Sequence, residues 1–235
     1  MPAELDADIE AVLQAPWPRP DDLARLRAAA DEAVAALVRR LAHEPGALRR
    51  RRICDALVDA AADDPGRLRP YLDHPSWYVA RNLAYVLGET RHPQAVAPLA
   101  VLARHPEYRV RREVLDALRK IPGGRSREML RRFATDPDAR LRRHLIDGLG
   151  STYDPEIASW LLAVVRSRDY TREGISLKEA AIAALTRMGA AEARPVLEQV
   201  ARRRWAFGPA RKLQEAARGA LAQTDPSAAV YASSR

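Results

Sequence analysis

Arg81, Arg112 and Arg143 stand 31 residues apart in succession. A guanidinium group presents a planar fork of N–H donors that matches a carboxylate or a phosphate, so three at one period could recognise an anionic surface. Equal spacing becomes a physical row only if the chain repeats a structural unit with that period. Trp77 and Tyr85 add aromatic faces nearby, Tyr85 one helical turn beyond Arg81, while Arg119, Lys120 and Arg142 widen the basic strip. Exposed Trp and Arg are typical of the residues that dominate binding energy. The same arginines would also serve simply to solvate a helix face or to tie neighbouring repeats together. A secondary cluster, Arg202-Arg203-Arg204-Trp205 followed by Arg211-Lys212, could contact phosphates without reading base sequence, or form a plain solvated turn.

Catalytic constellations are missing from the sequence. It contains no phosphate-binding loop, dinucleotide fingerprint, His-Glu-x-x-His or nucleophile elbow. His43, His74, His92, His105 and His144 are scattered, mostly beside prolines at turns, where capping of helices is expected. Metal ligation would need a convergence that their positions do not indicate. The single cysteine, Cys54, excludes an intrachain disulfide and a cysteine zinc site. Its helical context makes it a small buried hydrophobe. The expectation is therefore no catalytic residue, no metal and no cofactor.

The elements that position these residues must be helical. Hydrophobic residues make up 47% of the 235 but aromatics only 6%, and Ala, Leu and Arg dominate. Strands would enrich β-branched and aromatic residues instead. The net charge of +8 favours an acidic partner: nucleic acid, an anionic membrane surface or an acidic protein. An arginine-rich coding background would give the same excess. Glu4, Asp6, Asp8 and Glu10 give the start the wrong charge for a signal peptide, and no apolar run approaches a membrane span, so a cytoplasmic location is expected.

A repeat organises the chain. His74-Pro75, His105-Pro106 and Asp136-Pro137 follow the same 31-residue step, which also superposes Val79, Val110 and Leu141, then Leu87, Leu118 and Leu149. Each period reads as two helices. The best-defined first helix spans about Gln94 to Ala103, and its second spans about Tyr108 to Ile121. Val110, Val114, Leu118 and Ile121 then form one stripe, closed by Gly123-Gly124. Leu185 and Leu221 continue the series at steps of 36, with the extra residues in the turns around Tyr170 and Trp205, which are expected to anchor them. Backward, Leu57 places Arg50 to Val58 in an earlier second helix. Asp22 to Leu41 is its partner, in one piece or two. A single domain over 1–235 is expected: a cap helix with a Pro-rich turn (1–20), hairpin repeats (21–223) and a flexible tail (224–235).

The stretch Asp136-Pro137-Asp138-Ala139-Arg140-Leu141-Arg142-Arg143 resembles the turn and second-helix start of HEAT repeats, particularly the short bacterial phycobilisome-lyase-like type. His105 to Val114 and Leu177 to Leu185 are further matches, and Leu213-Gln214-Glu215-Ala216-Ala217 a weaker one; the resemblance covers about Arg50 to Gln223. It implies an all-α solenoid in which second helices line the concave side. It also implies pairing between a turn aspartate and a following arginine, which Asp136 and Arg142 fit and His105 and Ala80 do not.

The functional expectation is a scaffold that binds an acidic macromolecule, foremost a protein, on the concave face. A nucleic-acid binder is the alternative, including an enzyme similar to alkylpurine DNA glycosylases, with Asp116 or Asp147 as carboxylate near Trp77 and Arg112. A lyase-type accessory subunit is the third possibility that the resemblance suggests. Fold alone does not separate them.

Overall fold

The computed structural model describes residues 2–15, 19–149, 153–203 and 209–224, and every regular element among them is helical. They belong to two compact units, Met1–Phe133 and Ala134–Arg235. The first contains α1 (Pro2–Gln14), α2 (Pro20–Ala28), α3 (Ala30–His43), α4 (Ala47–Ala60), a 3-10 segment (Pro65–Tyr71) and α5 (Trp77–Glu89). It continues with α6 (Val96–Leu102), α7 (Tyr108–Lys120) and α8 (Gly124–Arg132). The second contains α9 (Ala139–Asp147), α10 (Pro155–Arg166), α11 (Arg172–Arg187), α12 (Arg194–Arg202) and α13 (Pro209–Gln223). The Pro-rich turn at 16–18 and the tail beyond Thr224 lie outside the described residues.

The expected stripe is the core. Val110, Val114, Leu118 and Ile121 are all buried, against Val79, Leu83 and Leu87 of α5 and Leu99 and Leu102 of α6. Their spacing puts them on one face of a 3.6-residue helix, and burying that face supplies most of a repeat's stability. In the second unit Ile146, Leu161, Ile182, Leu185 and Leu197 share one core. The first helix of the best-defined repeat starts later than expected. Pro93–Ala95 forms a 3-10 turn with His92 as its cap, and the α-helix begins only at Val96. The 20–43 stretch is two helices broken at Ala29. Arg25 and Arg27 close α2 while Asp31 and Glu32 open α3, each charge complementing the local helix dipole.

Two side-chain columns repeat with the period and explain the turns. Glu44, His74, His105, Asp136 and Asp169 each accept a hydrogen bond from the N–H two residues on, at 2.7, 3.1, 3.0, 2.8 and 3.0 Å. Histidine Nδ1 thus performs the job of a carboxylate, so His105 departs from the family residue without departing from its role. Six residues later, side chains of the second helix reach back to carbonyls that the end of the first helix leaves open. Arg50 donates to Glu44 and Pro45 oxygens (3.0 and 2.6 Å), Arg111 to His105 and Pro106 (3.0 and 2.9 Å), and Arg142 to Asp136 and Pro137 (2.6 and 3.3 Å). Gln214 does the same for Ala201 and Arg203, both at 2.9 Å, and Lys178 for Ser167. Arg142 therefore pins a turn instead of widening a basic strip.

At the N-terminus α1 packs Ile9, Val12 and Leu13 inward, against α2, α3 and α4, while Asp6, Asp8 and Glu10 bind Arg40, Arg25 and Arg49. Asp22 is buried and holds Arg19 (3.0 Å) and Arg25. The Arg19 hydrogen bond outweighs burial and keeps this carboxyl below the usual range. A carboxylate depressed in the folded state contributes stability above its unfolded pKa of about 3.9 and loses it as pH falls through the lower folded value. The penalty of Asp22→Asn is therefore expected to be full at neutral pH and to shrink toward zero below about pH 4, as measured by urea unfolding at both pH values. Cys54 is buried on α4, and burial pushes its thiol up to about 12. Native protein at pH 8 is expected to leave a maleimide unreacted until it unfolds; fast native labelling would contradict the packing of α4.

Candidate functional site

The second helices α4, α5 and α7 pack successively, α4 on α5 and α5 on α7. Arg81 and Arg112 occupy equivalent, exposed positions on two of them. Sequence reading missed a third: Arg51 precedes Arg81 by the 30 residues that separate Leu57 from Leu87, and it too is exposed. Arg51 and Arg112 make no hydrogen bond or ion pair among the described residues, whereas Arg81 Nε donates to Glu113 Oε2 at 3.1 Å across the α5–α7 seam.

Four contacts bridge that seam. The Arg109 guanidinium lies 4.9 Å from the Trp77 ring centroid, and Arg81 pairs with Glu113. Lys120 Nζ sits 5.0 Å from the Tyr85 ring and 2.7 Å from Glu89 Oε1. Trp77, Arg81 and Tyr85 fall at i, i+4 and i+8, so one helix face carries all three. Burial, helped by Glu89 and Asp55, pushes the Tyr85 phenol upward. Arg119 lies one to two turns beyond Arg112 and donates to Asp116 Oδ1 at 2.7 Å. Trp77 and Tyr78 are both half-buried. The Tyr78 hydroxyl donates to the Ala42 carbonyl of α3. Beside them a groove of about 520 Å³ opens between the head of α5 and the 43–45 turn.

In the second unit Arg143 and Arg203 are engaged within the chain. Arg143 Nε reaches Asp147 (2.9 Å), and its Nη1 donates to Ser176 backbone and hydroxyl oxygens at 2.9 and 2.8 Å, tying α9 to α11. Arg203 is exposed and donates to the Tyr170 hydroxyl; Arg204 and Trp205 lie outside the described residues. Asp116 and Asp147, the carboxylates weighed for repair chemistry, are each held by an arginine of their own helix. Among the described residues no three His, Cys, Asp or Glu side chains converge to hold a metal ion, and no helix is long and apolar enough to cross a membrane.

Helical hairpins stacked on their sequence neighbours, with turn locks and pins recurring from one hairpin to the next, define an α-solenoid repeat protein. The sequence profile of HEAT repeats matches residues 65–143 and 127–222. The chain belongs to the HEAT-repeat family. Solved structures similar to it include human deoxyhypusine hydroxylase in complex with glycerol (15% identity, 95% of this chain and 96% of that one, TM-score 0.39). Others are Escherichia coli YibA (15%, 94% and 81%, TM-score 0.48) and an engineered protein (15%, 94% and 97%, TM-score 0.41). No curated protein matches the sequence.

Proposed function

We propose that the protein is a cytoplasmic binding scaffold that takes an acidic protein partner on the second-helix face of α4, α5 and α7, the side that is concave in HEAT arrays. The observation that carries this is the pair Arg51 and Arg112, exposed and with no hydrogen bond or close ion pair among the described residues, flanking the Arg81–Glu113 bridge; Asp55 acts on Arg51 only at longer range. Two exposed guanidinium forks on helices adjoining α5, with its half-buried Trp77, form the mixed aromatic and cationic surface that interface hot spots use. Glu113, Asp116 and Glu89 are interleaved with these cations. A phosphate backbone would meet repulsion at each of them, whereas a protein can place its own cations there. Arg143 belongs to the same sequence series, and we assign it the lesser role, because its guanidinium already serves α9 and α11. Residues 21–223 act as one repeat series in this proposal, supported by a period that runs through residue 133 and a family match that spans it. The 31-residue step and the Asp-Pro and His-Pro turns support the short phycobilisome-lyase-like type. No catalytic residue is assigned.

The test is capture from the protein's own cell extract, with and without nuclease, using wild type and Arg51→Glu/Arg112→Glu. A nuclease-resistant protein retained by wild type and lost by the variant is expected. Retention that vanishes on nuclease treatment would replace this proposal with nucleic-acid binding.

A further inference from the structure

The second unit contains a cavity of about 220 Å³ between α10, α11, α12 and α13, independent of the second-helix face discussed above. Three cations line it: Arg166, Lys178 and Arg203, together with the Tyr170 phenol. No carboxylate is among its lining residues, and Val165, Val196 and Leu213 supply apolar walls. Cations facing one small space repel one another, and that cost is offset only by counter-charge or hydration.

Lys178 is the informative residue. Its side chain is 1% exposed, an unusual place for a lysine. In the pin column Arg50, Arg111, Arg142 and Gln214 each satisfy two carbonyls, while Lys178 Nζ satisfies only that of Ser167. The Tyr170 ring lies 4.1 Å from Nζ, and Asp169 and Arg203 act on it from farther away. An ammonium has three N–H donors, so this one is under-used at a cavity wall. Burial accordingly pushes the Lys178 ammonium below the usual lysine range, with Tyr170 and Asp169 opposing that shift. Arg166 of α10, which also lines the cavity, is exposed and has no hydrogen bond or ion pair among the described residues.

We propose that this cavity binds a small organic carboxylate, its head held by Lys178 and Arg166 and its short apolar body lying against Val165, Val196 and Leu213. The volume is below the 300–1,000 Å³ or so typical of sites for drug-sized ligands, which limits the ligand to a compact one. Apolar walls distinguish this site from one built for inorganic phosphate, whose four oxygens would face them unpaired.

The experiment is calorimetric titration of the full chain with benzoate, acetate and inorganic phosphate at constant ionic strength in chloride. Saturable one-to-one binding of benzoate is expected, weaker for acetate, and reduced about tenfold or more in Arg166→Gln, as loss of one charge-assisted hydrogen bond implies. Lys178→Met should abolish it. Where Lys178→Met fails to fold, Arg166→Gln decides, because that side chain is exposed and has no hydrogen bond or ion pair to lose among the described residues. No saturation below about 10 mM would overturn the proposal. So would benzoate affinity unchanged in Arg166→Gln, or saturable phosphate binding without benzoate binding.

Discussion

Leu118→Ala is expected to lower the stability of the first unit by about 2–5 kcal/mol, through lost burial and the cavity left behind. Leu118 is 1% exposed and sits at the centre of the α7 stripe, between Val114 and Ile121. The helices α5, α6 and α8 all pack on α7, so the hole has little freedom to collapse. Denaturant unfolding followed by circular dichroism measures the loss. Repeats couple mainly to their neighbours, and the transition should also broaden as the weakened segment uncouples from the rest. A change below about 0.5 kcal/mol, the scale of ordinary surface substitutions, would mean that α7 does not bury this face.

The second large effect is at Gly88→Ala. On propensity alone this change should stabilise a helix interior by about 1 kcal/mol. In α5, however, a Cβ at Gly88 would lie 2.6 Å from Ala117 Cα and 2.7 Å from its Cβ. These are atoms of the facing helix's backbone and first carbon, which cannot rotate away, so α5 and α7 must separate. Overpacking of that kind costs about 1–3 kcal/mol and exceeds the propensity gain. Net destabilisation is expected, growing from Ala to Val, and a stabilised Gly88→Ala would show that the two helices are not in close contact. Separation would also stretch the Arg81–Glu113 and Lys120–Glu89 bridges, so partner binding should weaken along with stability.

Leu118 was legible in the sequence and Gly88 was not. The stripe Val110, Val114, Leu118 and Ile121 declares its helix by spacing alone, and the recurrence of Leu87 and Leu118 sets the register of neighbouring repeats. The glycine depends on how closely two helices approach, which a one-dimensional pattern does not encode. The same distinction separates the charged residues. Arg81 and Arg112 were found by period, and Arg51 could have been, since it follows the Leu57 step. Which arginines are already used was hidden. Arg142 differs from Arg143 by one position, yet one pins turn carbonyls and the other ties α9 to α11. The three lining cations Arg166, Lys178 and Arg203 are 12 and 25 residues apart in sequence, follow no shared period, and meet only through the packing of α10 to α13. Substituting His for Asp in the turn lock likewise looked like a break in the pattern until Nδ1 was seen accepting the same N–H.

In the proposed scaffold a particular helix face, and not positive charge in general, engages the partner. The most direct test is equilibrium titration of the purified captured partner against two variants that change net charge equally. Arg51→Glu/Arg112→Glu reverses the second-helix face, and Arg125→Glu/Arg127→Glu reverses exposed positions on α8. Neither pair makes a hydrogen bond or close ion pair among the described residues, and Arg51 meets Asp55 only at longer range, so melting temperatures within a few degrees of wild type are expected. The first variant should bind about a hundredfold more weakly at physiological salt, as reversal of desolvated interfacial charges does. The second should stay within a few-fold of wild type, as rim or remote charges do. Equal losses in both variants, or a loss confined to the α8 pair, would contradict the account.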